Sequence, residues 1–199
     1  DNQVLGQRSF GSDAQTVAGM VTSELQGLSA AGVYGTVKHF PGHGGTSGDS
    51  HEGTVYLNST KEELESCEFL PFQAAIDADT EFVMVGHISL PNILEDDTPA
   101  SLSEEVVTEM LRNDLGFDGI VITDAMNMGA ITNNYTSAEA AVQAVQAGVD
   151  MILMPQDFED AYQGILSAVN SGTISEDRID ESVRRILEVK MGESGESSS

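Results

Sequence analysis

The sequence predicts an α/β fold built on a parallel β-sheet with helices on both faces. Strand-like apolar segments alternate with helix-like segments along the chain, and the strand-like segments are apolar throughout instead of at every second position. Both features are typical of parallel strands that are buried on both faces. Because polar residues follow the carboxyl ends of these strands, we expect the arrangement of a (β/α)₈ barrel of the TIM type.

The length of the chain limits how much of such a barrel can be present. A closed barrel usually needs ~250 residues, whereas the chain has 199 residues. We therefore expect a partial barrel of about four β/α units, with the first strands missing. A doubly wound open sheet would suit the length, but its phosphate-binding pattern G-x-G-x-x-G does not occur between a strand and a helix.

The first half of the chain predicts helices and strands in alternation. Asp13 is a good N-cap for a helix with apolar residues at helical spacing, and Gly32 is expected to end it. The apolar segment that follows, 33–37, predicts a strand, and the glycines after Pro41 predict a long exposed loop. The next elements in order are a helix over 61–78, a strand over 81–87 and a loop over 91–99.

The second half repeats this cycle. Ser103 is expected to cap a helix that runs through Leu115, before a strand over 119–123. Ser137 is expected to cap a helix that runs to Ala147, before a strand over 150–154. Helices over 157–170 and 175–191 complete a single partial catalytic-type domain, 1–191, and residues 192–199 predict a flexible tail or linker because they include no apolar side chain.

Charge and composition exclude several classes of function. The chain carries 33 acidic and 8 basic side chains, for a net charge of −25. A protein this negative repels a phosphate backbone and an anionic bilayer, so we expect no nucleic-acid partner and no membrane contact. The single cysteine excludes an internal disulfide and a multi-cysteine zinc site.

The first residue of the chain is Asp1, with no Met and no export leader. We expect a processed product or a segment of a longer protein. The compartment stays open between a secreted or cell-surface location and the cytoplasm.

Polar residues collect at the carboxyl ends of the predicted strands. Lys38 and His39 end the first strand, His87 ends the second, and Asp124 ends the third. Since the loops after parallel strands open on one face, these side chains are expected to meet at one site. The structural alternatives are packing roles for the histidines and helix capping for Asp124.

The loop after the first strand predicts a general acid/base pair. Asp49 and His51 are two residues apart, so in extended chain their side chains lie on the same side. A carboxylate beside an imidazole raises the pKa of the ring and keeps it available as a proton donor near neutral pH. The alternative is a solvated histidine near a solvated aspartate.

A metal site is not predicted. His39 and His43 have the four-residue spacing of two zinc ligands on a helix, but Pro41 and Gly42 between them do not allow that helix. No cofactor is therefore expected, although a metal hydrolase that uses His39, His43 and His51 remains an alternative.

Several segments together carry a resemblance to a known family. They are Arg8-Ser9-Phe10-Gly11, the Lys38–His51 run with K-H-F-P-G-H-G and D-S-H, Gly86-His87-Ile88, Pro99-Ala100-Ser101-Leu102-Ser103, Leu115-Gly116-Phe117-Asp118-Gly119 before Thr123-Asp124, and Ala147-Gly148-Val149-Asp150-Met151. The chain resembles bacterial β-N-acetylglucosaminidases of glycoside hydrolase family 3 from about Val4 to Met191. The most specific part is K-H-F-P-G-H-G followed by D-S-H.

The resemblance implies roles for the polar residues at the strand ends. Asp124 would be the nucleophile, and Asp49 with His51 would be the acid/base. Arg8, Lys38 and His39 would hold the N-acetylglucosamine. His87 and Met126 join the substrate-binding candidates through their positions, at a strand end and beside Asp124, with packing as the alternative for Met126.

Two substitutions and one gap separate the chain from the family pattern. Many relatives have Asp where this chain has Gly45, and a second Asp where it has Ala125. An upstream Asp that grips the sugar has no counterpart here.

The expected activity is that of a retaining exo-glycosidase. It would release terminal β-linked N-acetylglucosamine from peptidoglycan fragments or related glycans in a bacterium. The alternatives are a family 3 β-glycosidase with another sugar preference and a non-catalytic sugar-binding or assembly piece, which needs the missing N-terminal barrel half as its partner. The sequence leaves open the natural aglycone, the oligomeric state, and whether water or phosphate is the acceptor.

Overall fold

A computed structural model of the chain describes residues 6–46 and 53–192. Within these ranges the α-helices are α1 Ala14–Ala30, α2 Lys61–Ser66, α3 Phe69–Ile76, α4 Gly129–Thr132, α5 Ser137–Ala147, α6 Phe158–Asn170 and α7 Glu176–Met191. A π-helix spans Glu105–Asp114, and 3₁₀ turns span Gly6–Arg8 and Ala100–Leu102. The strands are β1 Thr36–Phe40, β2 Val55–Tyr56, β3 Phe82–Val85, β4 Ile88–Ser89 and β5 Ile120–Thr123.

The main sheet is parallel, as the apolar strands predicted. Its order is β1-β3-β5, and Phe82 of β3 pairs with Thr36 on one side and with Ile120 on the other. The short strands β2 and β4 form a second parallel pair. In the described part of the chain the main sheet does not close on itself, so the fold is an α/β domain with an open parallel sheet.

The fourth predicted strand, over 150–154, is the main correction to the expected sheet. It is reduced to one parallel bridge between Ile122 and Met151. Regular pairing stops there because the amide of Leu153 donates to the side-chain Oγ1 of Thr123, at 3.0 Å. Met154 then leaves the strand with a left-handed φ of 49°.

Local capping explains the helix boundaries. Asp13 Oδ1 accepts a hydrogen bond from the amide of Thr16, and Gly32 follows α1 with a φ of 71°, as predicted. The helix expected over 61–78 is divided into α2 and α3 at Cys67. Ser103 Oγ accepts from the amide of Val106, so it does cap the π-helix.

The cap of α5 differs from the prediction by one residue. Thr136, not Ser137, accepts from the amide of Glu139, and Glu139 Oε2 accepts from the amide of Thr136. This reciprocal pair satisfies two free amide groups at once, which a cap at Ser137 would not. Ser137 instead accepts from the amide of Asp157, which links α5 to the start of α6.

The hydrophobic core lies between the parallel sheet and the helices on its outer face. Val83 and Val121 of the sheet and Val107 and Leu111 of the π-helix are fully buried in it. Burying an aliphatic side chain of this size stabilises the fold by about 1.5–3 kcal/mol. This packing fixes the position of each strand, and hence the position of the polar residues that follow it.

A buried carboxylate ties α7 to the sheet. Asp150 is completely buried and accepts hydrogen bonds from Arg112 at 2.6 Å, Ser182 at 2.6 Å and Arg185 at 3.2 Å. Its Oδ2 also accepts from the amide of Val121, near the start of β5. The cluster therefore holds the end of β5 that lies opposite Asp124.

No helix within residues 6–46 and 53–192 is both long enough and apolar enough to cross a bilayer. Helix α7 ends at Met191, followed by Gly192 in the left-handed conformation, and the rest of the predicted tail lies outside the described residues.

Candidate active site

Strand β5 delivers Asp124 to the carboxyl edge of the sheet. The amide of Asp124 donates to the carbonyl of Val85 at 2.9 Å, which extends the β3–β5 pairing by one residue. Its Oδ1 accepts from the amide of Ala125 at 2.8 Å, and its side chain is 18% exposed. One carboxylate oxygen is thus held by the backbone while the group remains accessible.

An irregularity in β1 turns His39 toward Asp124. Lys38 pairs with Met84 and Phe40 pairs with Val85, so His39 has no residue opposite it on β3 and forms a β-bulge. Its Nε2 lies 3.5 Å from Asp124 Oδ2. The peptide bonds before His39 and before Pro41 are both cis.

The environment of His39 keeps its ring neutral. Burial lowers the pKa of His39 to about 4, against the opposing attraction of Asp124. The positive charges of Lys38 and Arg8 contribute to the lowering, as does His43. Among the described residues, Nδ1 of His39 is buried and has no hydrogen-bond partner.

Lys38 and Arg8 supply the positive charge around this group. Lys38 is exposed on β1, and Arg8 is exposed in the short turn Gly6–Arg8. Both are near enough to His39 to affect its pKa. The structure therefore brings Arg8, Lys38, His39 and Asp124 into one neighbourhood, although they come from three separate segments.

The predicted acid/base pair lies outside the described residues. Asp49 and His51 fall between Thr46 and Gly53, where the description stops and resumes. His43, which precedes this gap, is well packed. It is 6% exposed, and its ring lies edge-on to that of His39 with the ring centroids 5.5 Å apart. The roles of Asp49 and His51 remain predictions.

Gly42 and Gly45 hold the loop close to its neighbours. A Cβ on Gly42 would lie 2.6 Å from Cγ of Glu68, and the φ of Gly42 is 134°. A Cβ on Gly45 would lie 3.1 Å from Cδ1 of Leu57, so any side chain at this position would require Leu57 to move.

His87 is engaged within the protein. It is 1% exposed, with Nδ1 at 2.7 Å from Ser101 Oγ and Nε2 at 3.0 Å from the carbonyl oxygen of Ala125. Burial lowers the pKa of His87, and the hydrogen bond to the Ala125 carbonyl opposes this. The ring is therefore neutral near neutral pH.

Met126 belongs to the hydrophobic core. Its side chain is 3% exposed, and its amide donates to the carbonyl of Leu153 at 2.8 Å. It contributes packing directly behind Asp124. Among the described residues, no group of three or more His, Cys, Asp or Glu side chains is arranged to hold a metal ion.

Comparison with known proteins decides the family. The Glycosyl hydrolase family 3 N terminal domain matches residues 1–189, nearly the entire chain. The chain belongs to glycoside hydrolase family 3.

Three relatives of this family 3 chain are named as β-N-acetylglucosaminidases or as a β-hexosaminidase. A solved family 3 β-N-acetylglucosaminidase from Paenibacillus sp. str. FPU-7 is 42% identical with a TM-score of 0.93, and the match covers 100% of this chain and 39% of that one. A β-N-acetylglucosaminidase/β-glucosidase from Cellulomonas fimi is 32% identical, with 95% and 35% covered. A β-hexosaminidase from Mycobacterium tuberculosis is 35% identical, with 96% and 50% covered. The chain thus spans half or less of the length of these relatives.

Ser101 was not among the candidate site residues predicted from the sequence of this family 3 chain. It lies in the matching segment Pro99–Ser103, but a serine in a 3₁₀ turn has no pattern that marks it as a partner of a histidine 14 residues earlier. The only available signal was that Ser101 follows the strand that ends at His87.

Proposed function

We propose that the protein containing this domain hydrolyses terminal β-linked N-acetylglucosamine from peptidoglycan fragments or related glycans, with retention of configuration. The observation that carries the proposal is the arrangement around Asp124. Its carboxylate is held by the Ala125 amide at 2.8 Å, is 18% exposed, and lies 3.5 Å from a neutral histidine. An oriented and accessible carboxylate is what a retaining glycosidase requires of its nucleophile.

The reaction would run in two displacements. Asp124 attacks the anomeric carbon and forms a glycosyl-enzyme ester while His51 gives its proton to the leaving glycosidic oxygen. His51 then takes a proton from water, which attacks the same carbon and releases Asp124. Asp49 would stabilise the protonated ring of His51.

The sugar would be held by the residues that share the neighbourhood of Asp124. Arg8 and Lys38 are exposed donors, which suits the hydroxyl and acetamido oxygens of N-acetylglucosamine. His39 would join them, since its Nε2 lies 3.5 Å from Asp124 Oδ2.

Two observations favour alternative functions. The Cellulomonas fimi relative is named for both N-acetylglucosaminidase and β-glucosidase activity, which supports a family 3 enzyme of broader sugar preference. The open sheet and the coverage of only 35–50% of the relatives support a piece that acts only with a further part of the domain.

One experiment separates these functions. The 199-residue chain and an N-terminally extended version are assayed with the 4-nitrophenyl β-glycosides of N-acetylglucosamine and of glucose. We expect the extended version to prefer the N-acetylglucosaminide, Asp124→Ala to abolish turnover, and a 2-fluoro-type inactivator to label Asp124. A preference for the glucoside would support the broader glycosidase. A folded extended chain that hydrolyses neither substrate would support the non-catalytic piece.

A further inference from the structure

A chain of hydrogen bonds runs from the core to the residue after the nucleophile candidate. It begins at the Ser101 hydroxyl, passes through the ring of His87, and ends at the carbonyl of Ala125. The two side chains are 0% and 1% exposed. The chain of bonds is therefore internal to the protein, beneath the surface on which a substrate would lie.

The partners determine which nitrogen of His87 carries the proton. A backbone carbonyl can only accept, so Nε2 must donate to Ala125 at 3.0 Å. A neutral ring with its proton on Nε2 accepts at Nδ1, so the Ser101 hydroxyl donates to Nδ1 at 2.7 Å. The Ala125 carbonyl thus sets the tautomer, and the Ser101 hydroxyl, which can donate or accept, completes the bonding of the ring at Nδ1.

Ala125 transmits this restraint to Asp124. Its carbonyl accepts from His87 Nε2 at 3.0 Å and from the amide of Met128 at 3.2 Å, and its amide donates to Asp124 Oδ1 at 2.8 Å. The neighbouring backbone is fixed as well, since the amide of Asp124 donates to Val85 and that of Met126 donates to Leu153. Without the shorter bond from His87, only the longer bond from Met128 would hold this carbonyl, and the Ala125 amide that orients the carboxylate would be less firmly placed.

We propose that His87 and Ser101 are positioning residues that orient the Asp124 carboxylate through Ala125, and that His87 does not contact the sugar. The inference deepens the proposed function and rests on Asp124 being the nucleophile. It replaces the substrate-binding role that the place of His87 at a strand end suggested. A small misplacement of a reacting group lowers the rate of the chemical step much more than it changes binding.

The kinetic test compares two replacements of His87 in the N-terminally extended chain. His87→Leu removes the donor to Ala125, and we expect kcat to fall about 10- to 100-fold with little change in KM. His87→Gln places an amide NH₂ near the position of Nε2, and we expect it to recover most of the lost kcat. A rise in KM with unchanged kcat in His87→Leu would show a sugar contact and overturn the proposal.

The serine partner is tested with a matched control. Ser101→Ala should lower kcat less than His87→Leu, because Nε2 can still donate to Ala125 while the ring loses the bond that holds it at Nδ1. Ser89 is an equally buried serine of the same core whose hydroxyl donates to the carbonyl of Asp97, away from Asp124. Ser89→Ala should therefore keep kcat near that of the parent. Equal losses in both serine variants, in step with their melting temperatures, would assign a packing role and contradict positioning.

A spectroscopic measurement on the unmutated chain avoids variants that fail to fold. Side-chain ¹⁵N NMR should show His87 as the neutral tautomer with its proton on Nε2, because the carbonyl of Ala125 can only accept. A parent ring with its proton on Nδ1 would contradict the mechanism.

The two hypotheses fail in different ways. If Asp124→Ala kept full turnover, the proposed function would be wrong and positioning with it. If Asp124→Ala abolished turnover while His87→Leu kept the parental kcat, only the positioning role would be wrong.

Discussion

The buried, neutral ring of His39 beside Asp124 makes the stability of the fold depend on pH. The pKa of His39 is about 4 in the fold, against 6.5 for an ordinary histidine. Between these values the unfolded chain binds the proton and the folded one does not, so the folded state loses stability as the pH falls from 6.5 toward 4. We expect the loss from this residue to reach roughly 2–3 kcal/mol.

The measurement is urea unfolding at pH 7 and pH 4.5, for the parent and for His39→Gln in the extended chain. Other titrating groups are common to both proteins, so the variant should lose less stability on acidification by the amount given above. Parallel losses in the two proteins would mean that His39 takes up its proton equally well in the folded state.

The assignment of Asp49 and His51 as the acid/base pair predicts how the rate depends on the leaving group of the substrate. If His51 is the acid/base, replacing it with Ala should slow substrates with poor leaving groups far more than activated phenyl glycosides, which leave without a proton. Azide should partly restore the second step. Asp49→Asn should lower the pKa of His51 by removing its counter-charge, so the alkaline limb of the rate should move to lower pH. Equal losses across leaving groups with an unmoved limb would assign the proton to another group.

At the scale of the elements, Asp150 connects β5 to α7. Its fully buried carboxylate is bound by Arg112 and Arg185 and by the hydroxyl of Ser182. We expect Asp150→Asn to destabilise the domain by about 3–5 kcal/mol, since it leaves buried guanidinium groups without their counter-charge. Chemical unfolding of the extended chain measures the loss.

The control for Asp150 is an exposed ion pair on the same helix. Arg184 and Glu188 are 3.3 Å apart on the surface of α7, with side chains 61% and 44% exposed. Glu188→Gln should cost less than about 1 kcal/mol. If both variants lost a similar amount of stability, the buried cluster would not be what holds α7 to the sheet.

At the scale of the whole molecule, large exposed apolar side chains come from two stretches of the sequence, and these stretches meet where the Tyr34 hydroxyl donates to the carbonyl of Val189 at 2.8 Å. Within the described ranges they fall only between residues 10 and 34 and between 154 and 191, and none lies in the middle of the chain. They are Phe10, Met20, Val33, Tyr34, Met154, Phe158, Tyr162, Leu166, Val183, Leu187 and Met191. An apolar groove of about 300 Å³ between α6 and α7 is lined by several residues of the same region, including Tyr162 and Leu166.

Surfaces of this kind, together with free parallel strand edges, favour association. We expect the 199-residue chain alone to be aggregated or only partly folded and essentially inactive, and the N-terminally extended version to be monodisperse and active. Size-exclusion chromatography with light scattering and thermal melting will distinguish them. A monomeric 199-residue chain that melts cooperatively with full activity would contradict the partial-barrel interpretation.

Much of the partial barrel could be predicted because its signals are local. The class of fold, the parallel strands and the bounds of α1, α6 and α7 follow from periodicity and from caps such as Asp13 and Gly32. The fourth strand could not be predicted correctly, because its pairing is interrupted by a side chain, Thr123, from a neighbouring strand. The same applies to the cap of α5, since Thr136 and Ser137 are both good N-caps and only the reciprocal bond with Glu139 distinguishes them.

The sequence by itself determined that polar candidate residues of this family 3 chain lie at the carboxyl ends of its strands, with Asp124 directly after β5 and His39 on β1. Parallel strands place their ends at one edge, so the order of residues is sufficient for that conclusion. Only the tertiary structure decided the surroundings of each group. The neutral state of His39, the tautomer of His87 set by the Ala125 carbonyl, and the arginines around Asp150 all depend on burial and on contacts between distant segments. Such contacts are set by packing in three dimensions, which no local pattern of residues records.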